Sequence, residues 1–377
     1  MLFLFLFFTT NDVTNGLKPL KPQKIALVHE LTLGTEEGGD EQIFSGTTTV
    51  TSDSAGMIYV NDPGSYRVAV FDSKGRFVKQ FGKKGPGPGE FDEPVAVAGD
   101  KQGRIYVFDT GHKKMTVFLA DGTVFKETRF DAMIQGVTNP HVLADGNIIF
   151  TSFQTLEGSW VHNQSLYDED LKVITKFNEV SMGGIDFAHM EQPGFWRDLL
   201  VAQFEVALEG IPVQAAIGSE KLFVGQASRY EGRILSSKGK ELVRVSKKNK
   251  PKVFSEMARF AFCEGIWEDL SANPFLTPRL TKPVFDRALA KTDFPPGLSP
   301  MSGVCSFADG FVVLSGFDPS KHKGRLDFFD AEGRYTATTP YSGPFKFIHG
   351  SHDKIYTVGV NEDDAVVVNV FRITRAD

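Results

Sequence analysis

The chain has 377 residues, with 41 lysines and arginines against 47 aspartates and glutamates and a formal net charge of −6. This modest acidic excess builds no field for nucleic acid, and the mixed, Phe-rich composition is that of a soluble globular protein and not a disordered one. The length exceeds the usual single domain, but closed all-β architectures run this long as one domain with a large core. Cys263 and Cys305 are too few and too far apart for a disulfide framework or a zinc site, and read as two buried thiols.

After Met1, residues 2–8 are a pure Leu/Phe run followed by polar Thr9, Thr10, Asn11 and Asp12. A bilayer span needs about 20 residues, so the run is no transmembrane segment. It is like the apolar core of a secretory signal without its basic leading residues. Residues 1–16 are therefore expected to be a truncated signal or a disordered tail, and the protein to be secreted or periplasmic. In-frame basic residues are expected upstream of Met1.

Residues 24–34 (KIALVHELTLG) read as a strand entering a Gly-rich joint before Gln42, Ile43 and Phe44. Self-similarity then appears, since residues 56–62 (GMIYVND) match residues 103–109 (GRIYVFD). Residues 67–71, the turn 72–75 and residues 76–81 likewise match 114–119, 120–122 and 123–130. Each unit is thus a four-stranded antiparallel meander. Between the two units, Gly82, Gly85, Gly87 and Gly89 with Pro86 and Pro88 can neither continue a strand nor start a helix, and mark a sharp crossing. Weaker copies centre on Ile148, Leu222, Val312 and Ile355, giving six units with a basic period of roughly 45 residues and two lengthened intervals.

Four strands per unit at this period build a β-propeller blade. The last copy lacks one strand, which residues 24–34 can supply, so the ring is expected to close by pairing 24–34 with 355–373 in one domain spanning 24–377. The expected fold is all-β, a six-bladed β-propeller of four-stranded antiparallel blades with two partly helical insertions on one face. Gly87–Pro88–Gly89–Glu90–Phe91, then Pro94 and the run 103–109, resembles the NHL-repeat class of bacterial six-bladed propellers. The resemblance is specific over about residues 47–130. It implies a superfamily that includes scaffolds, ligand-binding modules, RNA-binding domains and a few enzymes, so fold alone does not assign function.

The insertions, 178–212 and 246–300, lie between the outer strand of one unit and the inner strand of the next. The first contains Phe187, His189, Phe195, Trp196, Arg197 and Phe204, with helical spacing from Phe195 through Leu199 and Leu200. In the second, Phe254, Met257, Ala258, Ala261 and Phe262 have helical spacing, Trp267 follows, and Thr281, Lys282 and Pro283 open a further helix to Ala290. These aromatics either clamp the insertions onto the blades or grip a ligand. The candidate ligand or partner site is Phe195, Trp196, Arg197 and Trp267, gathered with the Gly-Pro-Gly loop around the channel mouth.

Other chemistry is thin. His349 and His352 would not share a strand face. His141 could meet His349 across the central channel, as histidines from several strands do in the metal-binding amidating lyases of the superfamily. Here the corresponding inner-strand starts, near Val95, Val213 and Val304, supply no histidine, leaving at most two ligands where a catalytic zinc wants three. Asp62 and Asp109 are expected to accept backbone hydrogen bonds in the turn that follows each. Lys247, Lys248, Lys250 and Lys252 read as a solvated loop and not a nucleic-acid patch. No cofactor, metal or nucleic-acid partner is expected. The leading function is a non-enzymatic exported propeller binding a peptide, glycan or partner protein on the insertion-bearing face; the alternative is a lyase- or lactonase-type enzyme using the central channel.

Overall fold

The computed structural model describes residues 11–35, 39–45, 48–131, 134–156, 159–184, 190–192, 194–218, 220–271 and 279–376. The first strands, β1 (Asn11–Asn15) and β2 (Lys24–Leu33), join sheets completed much later in the chain. Blade 1 is β3 (Thr49–Ser52), β4 (Ile58–Asp62), β5 (Arg67–Phe71) and β6 (Phe77–Phe81). Blade 2 is β7 (Pro94–Gly99), β8 (Ile105–Asp109), β9 (Lys114–Phe118) and β10 (Val124–Arg129). Blade 3 is β11 (Ile134–Val142), β12 (Ile148–Leu156), β13 (Ser159–Tyr167) and β14 (Val173–Gly184), followed by helix α1 (Phe195–Glu209). Blade 4 is β15 (Pro212–Ile217), β16 (Lys221–Gln226), β17 (Glu231–Ser236) and β18 (Glu241–Lys247), followed by α2 (Glu256–Ser271) and α3 (Lys282–Lys291). Blade 5 is β19 (Gly303–Phe307), β20 (Gly310–Asp318), β21 (Lys323–Phe329) and β22 (Tyr335–Ser342). Blade 6 is β23 (Phe347–Gly350), β24 (Lys354–Val360) and β25 (Val366–Ala376), with β2 as its outer strand. The protein is a six-bladed β-propeller of antiparallel meanders, as the repeats predict.

The run Ile-Tyr-Val recurs because the second strand of a blade is buried on both faces. Successive side chains point to opposite faces. Ile58 and Val60 therefore pack on Tyr356, Val358 and Val368 of blade 6, while Tyr59 packs on Val97 and Val107 of blade 2. In blade 2, Ile105 and Val107 face blade 1 while Tyr106 and Phe108 face Ile148 and Phe150 of blade 3. Each such fully buried side chain contributes about 1.5–3 kcal/mol relative to exposure. The tyrosines keep a polar handle, since Tyr59 and Tyr106 donate to Asp53 at 3.0 Å and Asp100 at 3.1 Å.

Those aspartates fix the turns. Asp53 accepts from the Ala55 and Met57 amides, Asp72 from Lys74 and Arg76, and Asp100 from Gln102 and Arg104. Each turn then needs a left-handed residue, supplied by Gly56, Gly75 and Gly103 at φ of 82°, 77° and 75°. The local sequence thus sets hairpin register without help from the rest of the ring.

β2 pairs antiparallel with β25, from Lys24 opposite Ala376 to Leu33 opposite Val368. The chain's N-terminal part also reaches further than its sequence shows. β1 lies parallel to β18, making blade 4 five-stranded where four were expected, and Asn15 bonds Ser246, Gly333 and Tyr335 across blades 4 and 5. Residues 11–15 of the segment expected as signal or tail are therefore an ordered strand; residues 1–10 lie outside the described residues. β14 extends to Gly184, so the first insertion begins later than residue 178, because the strand keeps pairing with β13 as far as Ser159 opposite Gly184.

Candidate functional site

In an antiparallel four-stranded blade the outer strand ends at the end of the sheet where the next inner strand begins, so both insertions leave from equivalent joints. They pack on each other. Leu200, Val201 and Phe204 of α1 share a core with Cys263 of α2 and with Phe285 and Ala288 of α3. The joint before blade 6 is tied in as well, by Lys346 Nζ at 3.0 Å from Asp269 of α2. Burial raises the Cys263 thiol to about 12 and the Cys305 thiol higher still, so neither is a nucleophile.

Of the candidate residues, Trp196 and Trp267 are half-buried and pack against this helical core, Trp267 with its ring 5.6 Å from Phe285. Phe195 stands edge-on to Trp196 at 4.9 Å, and the Arg279 guanidinium lies 5.8 Å from the Trp196 ring. Arg197 is engaged by Asp198, which also binds Lys291 at 2.7 Å. Phe187 and His189 lie outside the described residues. The outward side of the cap carries different residues. Val253, Met257 and Phe260 are 78%, 72% and 45% exposed, and Lys282 Nζ sits 5.1 Å from the Phe260 ring. Met257 points outward while its neighbour Ala258, about 100° further round the helix, is buried.

The Gly-Pro-Gly loop is not part of this assembly. Gly89 N and the Lys114 ammonium both bond Glu127, Lys114 also bonds the Gly87 carbonyl, and Phe91 packs on Phe118, all within blade 2. Among the described residues no hydrogen bond, ion pair or ring contact joins the loop to α1, α2 or α3. The loop sits at the joint between blades 1 and 2, whereas the helices leave the joints on either side of blade 4. Asp109 accepts from Gly111 and His112 of the following turn and also from Asp92 and Glu93 of the entering loop. Asp62 instead accepts from Ser45 N and pairs with Arg67 at 3.2 Å, so it ties the entering loop and not the turn after it.

His349 Nε2 is 3.4 Å from Ser52 Oγ. Among the described residues no group of three or more His, Cys, Asp or Glu could hold a metal ion. Burial lowers His141 and His162 to about 4, and burial followed by the His141 charge lowers His349 to about 3. An unfolded histidine titrates near 6.5, so below that pH the unfolded chain binds more protons than the folded one. The stability these residues support is complete above pH ~6.5 and falls on acidification, by about 1.4 kcal/mol per pH unit for each histidine. Denaturant midpoints measured from about pH 7 to 4.5 should fall steadily, and His349→Gln should flatten that slope; an unchanged slope in the variant would assign the acid lability elsewhere.

A cleft of about 420 Å³ opens between blades 3 and 4, lined by Asp12, Asn178, Arg229, Glu231, Arg233 and Arg244 among others. No sequence signal marks it, because its residues come from two blades and the N-terminal strand. The basic run nearby is not a solvated loop throughout. The Lys247 side chain is 8% exposed, with Nζ 3.3 Å from Asp327 and 4.5 Å from the Tyr230 ring, because β18 continues far enough to carry it between blades 4 and 5.

Residues 30–198 match the DUF5128 family model, described as a 6-bladed beta-propeller. Among solved structures the chain is similar to a candidate exported protein of Bacteroides fragilis, with 13% identity and a TM-score of 0.53 over 97% of this chain and 100% of that one. It is similar also to a member of the DUF4221 family from Bacteroides vulgatus, with 12% identity and a TM-score of 0.51 over 94% of this chain and 100% of that one. At these identities the likeness is one of fold. No curated protein matches the sequence. No helix among the described residues is long and apolar enough to cross a membrane.

Proposed function

We propose that the protein is a non-enzymatic, exported propeller of the NHL-repeat kind whose helical cap binds a partner protein. The observation that carries this reading is the exposed apolar row Val253, Met257 and Phe260 on the entry to α2 and its first turns. Exposed large side chains grouped in this way mark interaction surfaces. A helix surface is convex, which fits another protein better than a glycan or small ligand, whose sites are concave. Lys248, Lys250 and Lys252 are exposed just before Val253, and Lys282 stands beside Phe260, so the partner surface is apolar with an acidic rim. In this reading Trp196 and Trp267 hold the helices in place, while Phe195 and Arg197 form the edge of the site. Export rests on the Leu/Phe run that follows Met1, residues 2–8.

A photo-crosslinking amino acid placed at Met257 tests the reading in cells of the native host. A discrete adduct is expected there and not at Val78, which is 50% exposed on the outer strand of blade 1. Phe260→Asp should reduce its yield roughly 30-fold, the effect of losing about 2 kcal/mol at a hot spot. Equal adducts at both positions, or none at Met257, would overturn it.

A further inference from the structure

The cleft between blades 3 and 4 is separate from the apolar row on the cap, and strand alternation explains how it is built. Leu222, Val224 and Leu235 face blade 3. By the same period of two, Glu231 and Arg233 of β17 and Arg244 and Ser246 of β18 face blade 3. β1 extends this face, since Asp12 stands opposite Arg244 and Thr14 opposite Ser246. Arg233 in turn stands opposite Arg244. Positions that are apolar nearer the channel thus become charged toward the rim, and two guanidiniums are held directly opposite each other. Like charges in that relation are unfavourable for the sheet.

Part of this charge is satisfied internally. Glu241 lies 2.6 Å from Arg244 Nε and 3.9 Å from Arg233, and Arg233 also donates to the Phe177 carbonyl at 3.1 Å. Three charges remain. Among the described residues the side chains of Arg229, Asp12 and Glu231 form no ion pair or hydrogen bond, although all three line the same space. Asp12 only adds to the field at Arg244. A cleft of about 420 Å³ falls within the roughly 300–1,000 Å³ of small-molecule sites. It presents an unpaired cation and unpaired anions at once, and with Glu241 its acidic and basic groups balance.

The geometry points to a binding site for a small zwitterion, an amino acid or short peptide with both termini free. Its carboxylate meets Arg229, whose planar guanidinium matches carboxylate geometry, and its ammonium meets Asp12 or Glu231. Asn178 and Ser246 also line the cleft.

Isothermal titration of the full chain with trialanine, N-acetyltrialanine, trialanine amide and inorganic phosphate tests this. Trialanine should bind, and each blocked form should bind at least tenfold more weakly. Arg229→Gln should cost trialanine at least tenfold while leaving the affinity of the amide unchanged. Glu231→Gln combined with Asp12→Asn should do the reverse, weakening trialanine while sparing the acetylated form. All three side chains are exposed, so the melting temperature should not move. No binding of trialanine, equal binding of the blocked forms, or phosphate binding as tightly as trialanine would overturn the proposal, the last by showing a plain anion site.

Discussion

Asp327→Ala should destabilise the protein by about 3–5 kcal/mol, the range for removing one partner of a buried ion pair. The Asp327 carboxylate accepts from Tyr230 at 2.6 Å, Thr338 at 2.7 Å, Ser315 at 2.9 Å and Tyr335 at 3.0 Å, and Lys247 Nζ stands at 3.3 Å. Burial, reinforced by the Asp327 charge, raises Tyr335 to about 12 and Tyr230 well above its ordinary value, so both stay protonated donors. Alanine would leave four hydroxyls without their acceptor and a largely buried ammonium without its counter-charge. The network also joins blades, since Tyr230 and Lys247 come from blade 4 and the others from blade 5. Lys247→Met, which leaves Asp327 its four hydroxyl donors and fills the space between two tyrosine rings, should cost less than half as much. Denaturant unfolding of the two variants decides it: equal losses would show that the Lys247 counter-charge, and not the four hydroxyl donors, holds Asp327 at this junction.

Deleting residues 24–33 should lower the melting temperature by roughly 10 °C or more and remove the single cooperative transition. The strand does two things. It covers the edge of β25 along its length, and it inserts Leu33, 2% exposed, into the core between blades 6 and 1. Without it blade 6 presents a long unpaired edge, a template for aggregation. Leu33→Ala separates the two effects, because it keeps the ladder and should still cost about 2–5 kcal/mol through the cavity. Thermal scans of both variants that coincide with the parent would show that the ring does not depend on this strand.

What the sequence determined by itself is what local chemistry and alternation control. The turns at Asp53, Asp72 and Asp100 are set within five residues by a carboxylate and a left-handed glycine, so they repeat visibly. Strands such as β4 and β8 are buried on both faces, which makes them continuous apolar runs and gives the blade period. The helices α1, α2 and α3 were legible too, from their apolar spacing and the Thr281-Lys282-Pro283 start. Only the tertiary structure decided features that depend on which distant strands become neighbours. Asn11–Asn15 is a short polar segment with no strand signature, and it is ordered because β18 offers an open edge and blade 5 offers partners for Asn15. Met257 shares helical spacing with buried residues, and which side of α2 faces inward was fixed by α1 and α3. The lysine run looked uniform, yet Lys247 is enclosed while Lys248 is exposed, because alternation along β18 places one toward Asp327 and the other beyond the end of the strand. The cleft charges are separated by more than two hundred residues in the chain, and no local pattern can report a meeting made by a parallel strand from the N-terminal segment.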